Sequence, residues 1–243
     1  MDSSFALDYR ELEKNHWWFR AQRDILKQLI APASWPAKAK VLEIGVGSGE
    51  NLYSLYPPET DLTGIEPYPE NAEFASQKGS VPVHVGTAET FPEKLDGQKF
   101  DVITMFDVLE HTKDDELVLR TLHNKLNTSG RLIMSVPAYM WLWGRQDLVS
   151  HHYRRYTMGE LTRKLKVAGF GIEKKTYFNT LLLPVIATIR VLGRPFLPKD
   201  NAEVKSDFAY KAGFANELFY RIFRSTSVRT FFRIDIKSAS TVA

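Results

Sequence analysis

The stretch Lys40-Val41-Leu42-Glu43-Ile44-Gly45-Val46-Gly47-Ser48-Gly49 constrains the fold of this chain more than any other. A short β-branched apolar run breaks into alternating glycines, so a buried strand ends where backbone rather than side chain meets a ligand. The next apolar run, Asp61-Leu62-Thr63-Gly64-Ile65, ends on Glu66. That acid lies about 20 residues past the first glycine, where a doubly wound sheet places a carboxylate on a ribose hydroxyl pair. The pocket is therefore of nucleotide type. The last glycine of Gly45-x-Gly47-x-Gly49 comes earlier than in the dinucleotide pattern G-x-G-x-x-G, which favours S-adenosylmethionine over NAD. A nicotinamide oxidoreductase would use the same loop and stays open as an alternative.

Further strands follow the same logic. Val81 to Val85 reads as strand three and leads into Gly86-Thr87-Ala88-Glu89, while Phe100 to Phe106 is a buried-strand pattern followed by Asp107-Val108-Leu109-Glu110-His111. In open α/β sheets ligands bind at the carboxyl ends of the strands. Arg131 to Pro137 supplies strand five, completing a parallel core with right-handed crossovers. Helices are expected over residues 8 to 30, from Gly49 onward, over Asn71 to Gln77, over Asp114 to Asn127, and after a capping box formed by Thr157 and Glu160. Strand six is expected at 172 to 178, a helix at 214 to 223, and an antiparallel last strand near 234 to 243.

A chain of 243 residues buries one sizeable core. It reads as a single domain: residues 1–35 an N-terminal helical lid, 36–178 the cofactor-binding core and acceptor loop, and 179–243 a helical insertion with the final strand. The fold class is a Rossmann-like, doubly wound, seven-stranded sheet, mostly parallel with an antiparallel last strand. A net charge of +3 with no basic tract argues against nucleic acid as partner. The absence of cysteine excludes disulfides and thiolate metal sites. No charged leader with an apolar run opens the sequence, so a cytoplasmic location is expected.

Leu42-Glu43-Ile44-Gly45-x-Gly47-x-Gly49, Glu66 and Asp107-Val108-Leu109-Glu110-His111 together resemble the class I S-adenosylmethionine-dependent methyltransferases. His16-Trp17-Trp18-Phe19-Arg20 is similar to the start of one subfamily of small-molecule methyltransferases of types 11 and 12. The resemblance implies S-adenosyl-L-methionine as cofactor, S-adenosyl-L-homocysteine as product, and methyl transfer to an oxygen or nitrogen of a small or lipid-like acceptor. It implies cofactor contacts at Glu43, Gly45, Val46, Gly47, Gly49, Glu66, Pro67, Thr87, Ala88, Glu89, Phe106 and Asp107, with Arg20 or Arg23 on the methionine carboxylate or on a solvated helix face. Thr87 stands where the family usually has Asp. For Trp17 and Trp18, a lid over the substrate and a helix packed on the sheet are both open readings.

Acceptor chemistry is expected on residues 139 to 156, which concentrate aromatics, histidines and arginines. Tyr139, Trp143, His151, Arg155 and Tyr156 are candidate substrate contacts, and His152, His111 and Asp147 candidate catalytic groups. A loop docked by an Asp147 to Arg155 ion pair is the alternative. Two histidines and one Asp are too sparse to expect a metal. Residues 179 to 198 begin apolar and uncharged but are too short to span a bilayer. They are read as a buried helix, or as a peripheral membrane contact serving a greasy acceptor. A non-catalytic cofactor-binding protein at a membrane surface and an RNA methyltransferase are the remaining alternatives, and nothing in the sequence fixes an oligomeric state.

Overall fold

Odd and even residues of the central strands part company. Leu42, Ile44, Ile103, Met105, Leu132 and Met134 enter one apolar cluster, whereas Val41, Val102, Phe106 and Ile133 enter another. This period of two is what a strand buried on both faces requires. The computed structural model describes residues 10–30, 35–193, 213–225 and 235–238. Its strands are β1 (Lys40–Ile44), β2 (Asp61–Glu66), β3 (Val83–Val85), β4 (Phe100–Phe106), β5 (Leu126–Ser135), β6 (Phe170–Lys174) and β7 (Asp235–Ser238). They run in the order β3-β2-β1-β4-β5-β7-β6. The first five pair in parallel, and β7 lies antiparallel between β5 and β6. The result is an α/β, Rossmann-like fold with a mostly parallel sheet.

Helices cover both faces. Residues 10–15 form α1, followed by α2 (Trp17–Ile30), α3 (Pro69–Gly79), α4 (Asp115–Lys125), α5 (Arg145–Val149), α6 (Met158–Val167), α7 (Leu183–Gly193) and α8 (Phe214–Ser225). On one face α4 and α6 pack through Val118, Leu119, Leu122, Leu161 and Leu165. On the other, α2 contributes Ala21, Ile25, Leu26, Leu29 and Ile30, and α8 contributes Phe223. Each of the leucines and isoleucines is worth roughly 1.5–3 kcal/mol when fully buried, so α2 is firmly seated.

Four local expectations change. Residues 8 to 30 are not one helix, because the chain breaks at His16, whose ring Nδ1 accepts from Trp18 N at 3.3 Å while Asn216 Oδ1 accepts from Trp17 N at 2.7 Å. Side-chain acceptors thus satisfy the first N–H groups of α2 and let a new helix start. The helix expected from Gly49 is a series of turns, since Ser54 Oγ donates back to Glu50 O and Pro57-Pro58 stops the segment. Strand β5 starts at Leu126, and Asn127-Thr128-Ser129-Gly130 is absorbed by a register shift between Phe100 and Val102. Strand β6 starts and ends earlier than expected, at Phe170 and Lys174. Residues 1–9, Arg194, Pro195, Pro198, the segment 200–205, Arg229 and Arg233 lie outside the described residues.

Candidate active site

The glycine loop leaves β1 at the carboxyl edge of the sheet. Gly45 and Gly47 adopt φ of 79° and 57°, a region that favours glycine over residues with a Cβ. A Cβ on Gly45 would occupy the place of a Val108 methyl, and one on Gly47 would meet the Glu13 carboxylate. Gly47 N donates to Glu66 Oε2 at 2.9 Å, and Ser48 N donates to Glu13 Oε2 at 2.9 Å. Glu13 is the residue that the sequence hides. Its carboxylate arrives from α1, and no local motif marks it; only the break at His16 folds α1 back toward the loop.

Glu43 sits beneath this edge, fully enclosed, its Oε2 accepting from Tyr56 Oη at 2.7 Å, while Tyr56 also meets Thr104 Oγ1. Asp107, at φ 53°, ends β4 and accepts from Ser135 Oγ at 3.0 Å and from Gln22 Nε2 on α2. Gln22 is a second residue missed in the sequence, because an amide on a helix carries no spacing signal. Burial pushes Glu43 up to about 8 and Glu66 up to about 7, and it raises Glu13 as well. Among the described residues, no ion pair reaches Glu13, Glu43, Glu66 or Asp107.

Other expected cofactor contacts are dispersed. Val46 and Ala88 are buried in apolar clusters, as is Phe106 on the α2 face, and Pro67 is exposed just past Glu66. Gly49 continues the loop at φ 82°. Thr87 Oγ1 accepts from Glu89 N and Thr90 N, and Glu89 accepts from Lys113 N and Asp114 N at 2.8 and 3.2 Å. Glu89 therefore holds the approach to α4. Arg20 is turned away from the loop, lying 3.5 Å from Glu217 and over the Tyr220 ring. Trp17 and Trp18 are directed to α8 instead of to a substrate: Trp18 stacks on Phe223 at 4.9 Å and Trp17 meets Phe219 at 5.4 Å.

The segment 139 to 156, where acceptor chemistry is expected, has a defined shape. It contains a 3-10 turn at Met140–Leu142 and the short helix α5, and it is held by one enclosed carboxylate. Asp147 accepts from Arg155 Nε at 2.7 Å, from Arg155 Nη2 at 3.0 Å, from Arg190 Nη1 at 3.1 Å and from Gly144 N at 2.8 Å, and its Oδ1 lies 2.9 Å from His152 Nδ1. Burial alone would raise Asp147, but the bonds from His152 and Arg155 hold it below the usual carboxylate range. Asp147 is thus a clamp within the protein rather than a group open to an acceptor. Arg155 is likewise spent on Asp147 and on Ala138 O. Tyr156 is buried with its hydroxyl on Asp115 at 2.9 Å, so it belongs to the core instead of a substrate wall.

His111 and His152 do meet, edge to face at 4.5 Å between ring centres. Burial and the neighbouring His152 lower His111 to about 4, so it is neutral at physiological pH. His151 adopts φ 53° and is exposed. Tyr139 stacks between Trp141 and Tyr177 at 5.8 and 5.4 Å, and Trp143 N closes the 3-10 turn on Met140 O. Glu110 is fully buried with neither carboxylate oxygen hydrogen-bonded, and burial beside Asp107 raises it well above its ordinary value. Glu110, His111 and His152 offer ligand atoms within 4.8 Å of one another. The fold thus collects a trio that a divalent cation could bridge, which the sequence spacing did not suggest.

Acids raised by burial around a strand-ended glycine loop, none of them in an ion pair among the described residues, suit a ligand that brings its own positive charge, as a sulfonium with an α-ammonium does. Fold and loop together are those of the class I S-adenosylmethionine-dependent methyltransferases. Residues 15–175 match the family described as methyltransferase domain, and the chain belongs to that family. It is 32% identical over 155 residues to the ubiquinone biosynthesis O-methyltransferase of Azorhizobium caulinodans, a match covering 56% of this chain and 60% of that protein. A chain from the complex of the Haloferax volcanii Trm112 methyltransferase activator with a methyltransferase shares the fold at a TM-score of 0.64 and 17% identity, covering 98% of this chain and 96% of that one. The YcgJ protein of Bacillus subtilis does so at 0.59 and 18%, covering 89% of this chain and 99% of that one.

Proposed function

We propose that this protein transfers a methyl group from S-adenosylmethionine to an oxygen of a small or lipid-like acceptor, with nitrogen as the second choice of atom. The observation that carries this reading is the His152 ring, set with Nδ1 on Asp147 and its far edge at His111. Bound S-adenosylmethionine supplies the methyl on a sulfonium. Glu66 would receive the ribose hydroxyls, Asp107 and Glu13 would face the cationic end, and the glycine loop would give backbone contact. With Nδ1–H donated to Asp147, Nε2 of His152 is the free acceptor of a proton from an attacking hydroxyl. Such a base adds roughly 10²- to 10⁴-fold, while alignment of the two reactants supplies most of the remainder. The antiparallel pairing of β7 supports reading the sheet as the complete seven-stranded form. The name of the Azorhizobium relative, a ubiquinone biosynthesis O-methyltransferase, supports oxygen as the acceptor atom.

The test is transfer of labelled methyl from S-adenosylmethionine into a cell extract, then separated into lipid, aqueous small-molecule and macromolecular fractions. Label is expected in the lipid fraction and lost in His152→Ala, with S-adenosylhomocysteine binding retained. Label confined to macromolecules would overturn the acceptor class. Full activity in His152→Ala would remove the base.

A further inference from the structure

Helix α7 buries none of its residues. Its exposed positions, extended back to Leu181, are Leu181, Pro184, Val185, Thr188, Ile189 and Leu192, spaced i, i+3, i+4, i+7, i+8 and i+11, with Val191 exposed beside them. That spacing is one continuous helical face. Leu181, Val185, Ile189 and Leu192 are 64%, 57%, 66% and 68% exposed. The one hydroxyl on the face, Thr188 Oγ1, donates back to Pro184 O at 2.9 Å, so the stripe asks nothing of water. Beside it, the turn at Met140–Leu142 packs against α7 and leaves Met140 and Trp141 49% and 43% exposed. Tryptophan suits the boundary between headgroups and acyl chains. Residues 174 to 193 hold two lysines and one arginine and no acid, and Lys174 and Lys175 are exposed.

We propose that α7 and the Met140–Trp141 turn are the face on which the protein sits on an anionic lipid surface. The exposed Lys174 and Lys175 that lead into this segment would repel their counterparts in a second copy of the chain, whereas an anionic headgroup layer complements them. No helix among the described residues is long and apolar enough to cross a membrane, so the helix lies in the interface. The polar side of α7 turns to the site: Arg190 donates to Leu142 O and to Asp147, the carboxylate that also holds His152. The surface on which a greasy acceptor is dissolved is thereby mechanically joined to the proposed base. This purpose rests on the reading of a lipid-like acceptor; the docking itself does not.

The experiment is flotation of the whole protein with vesicles of phosphatidylcholine alone and of phosphatidylcholine mixed with phosphatidylglycerol, with S-adenosylhomocysteine binding measured on the same samples. Binding to the mixed vesicles is expected, reduced by tenfold or more, in order of magnitude, in the double variant Val185→Asp, Ile189→Asp, with S-adenosylhomocysteine affinity unchanged. Lys174→Gln, Lys175→Gln is expected to weaken it less and to flatten its salt dependence. Failure of the wild type to float with either vesicle would overturn the proposal, as would a double variant that binds like the wild type. A dimer in solution that the double variant dissociates would overturn it in favour of a second copy. Because neither vesicles nor S-adenosylhomocysteine require turnover, failure of docking is distinct from failure of the methyltransferase reading.

Discussion

Buried acids are treated in opposite ways on the two sides of the site. Around the glycine loop, Glu13, Glu43 and Glu66 are raised by burial and meet hydroxyl and amide donors but form no ion pair among the described residues, the nearby charge of Arg23 being too weak to offset the burial of Glu13. Across the sheet edge, Asp147 takes Arg155, Arg190 and His152, and Asp115 takes Lys164, Arg154 and the Tyr156 hydroxyl. A buried charge must be paired or must give up its ionisation. Around the glycine loop the fold leaves the acids without ion pairs among the described residues. Where a long loop must hold its own shape, it supplies the cations itself.

The sharpest way to break this contrast is Asp147→Ala, which strands Arg155 and Arg190 on an enclosed site. A loss of roughly 3–5 kcal/mol is expected from breaking such a network, read by denaturant unfolding. A loss below about 1 kcal/mol would mean that the clamp is decorative. Glu66→Gln should do the reverse: cofactor-free stability unchanged or higher, and S-adenosylhomocysteine bound tenfold to a hundredfold more weakly, in order of magnitude, by calorimetry. A large drop in cofactor-free stability would place Glu66 with Asp147 as a structural acid.

Next comes pH. A carboxyl whose folded value is raised keeps its proton in the folded state after the unfolded chain has released it. Stability of the cofactor-free protein should therefore be fullest below about 4.5 for this set and should fall as pH climbs through about 7 and about 8. Saturating S-adenosylhomocysteine should flatten that slope, because its ammonium favours the ionised acids. Thermal midpoints across pH, with and without ligand, decide it; a slope untouched by ligand would separate these acids from the cofactor. The smallest effect is expected from Glu89→Gln: cofactor affinity unchanged and stability lowered by less than about 1 kcal/mol, since its exposed carboxylate only caps Lys113 N and Asp114 N. Weakened cofactor binding would return Glu89 to the adenine.

How much could be read in advance follows the range of the forces involved. Gly45 to Glu66 and Phe100 to Asp107 were legible because a strand buried on both faces and a glycine turn at its end are written locally, in period and in glycine. The Asp147 to Arg155 pair was legible as well, eight residues apart on one loop. Glu13 and Gln22 were not, since what brings them to the loop is the break at His16, and half of that break is made by Asn216 near the other end of the chain. Trp17 and Trp18 left two readings open for the same reason: their aromatic faces suit a substrate as well as a packed helix, and it is α8 that they meet. Arg190 could not be assigned to Asp147 by any spacing rule.

The bond from Trp17 N to Asn216 spans 199 positions, and that has a consequence for biosynthesis. While the chain is being made, the tryptophans of α2 lack their contacts with Phe219 and Phe223 until α8 has left the ribosome, although the sheet that carries the glycine loop is already largely translated. The nascent protein therefore presents a nearly finished nucleotide cradle with an unlatched, greasy N-terminal arm. Chaperone engagement should concentrate on that arm, and ligand present during synthesis should shorten the interval.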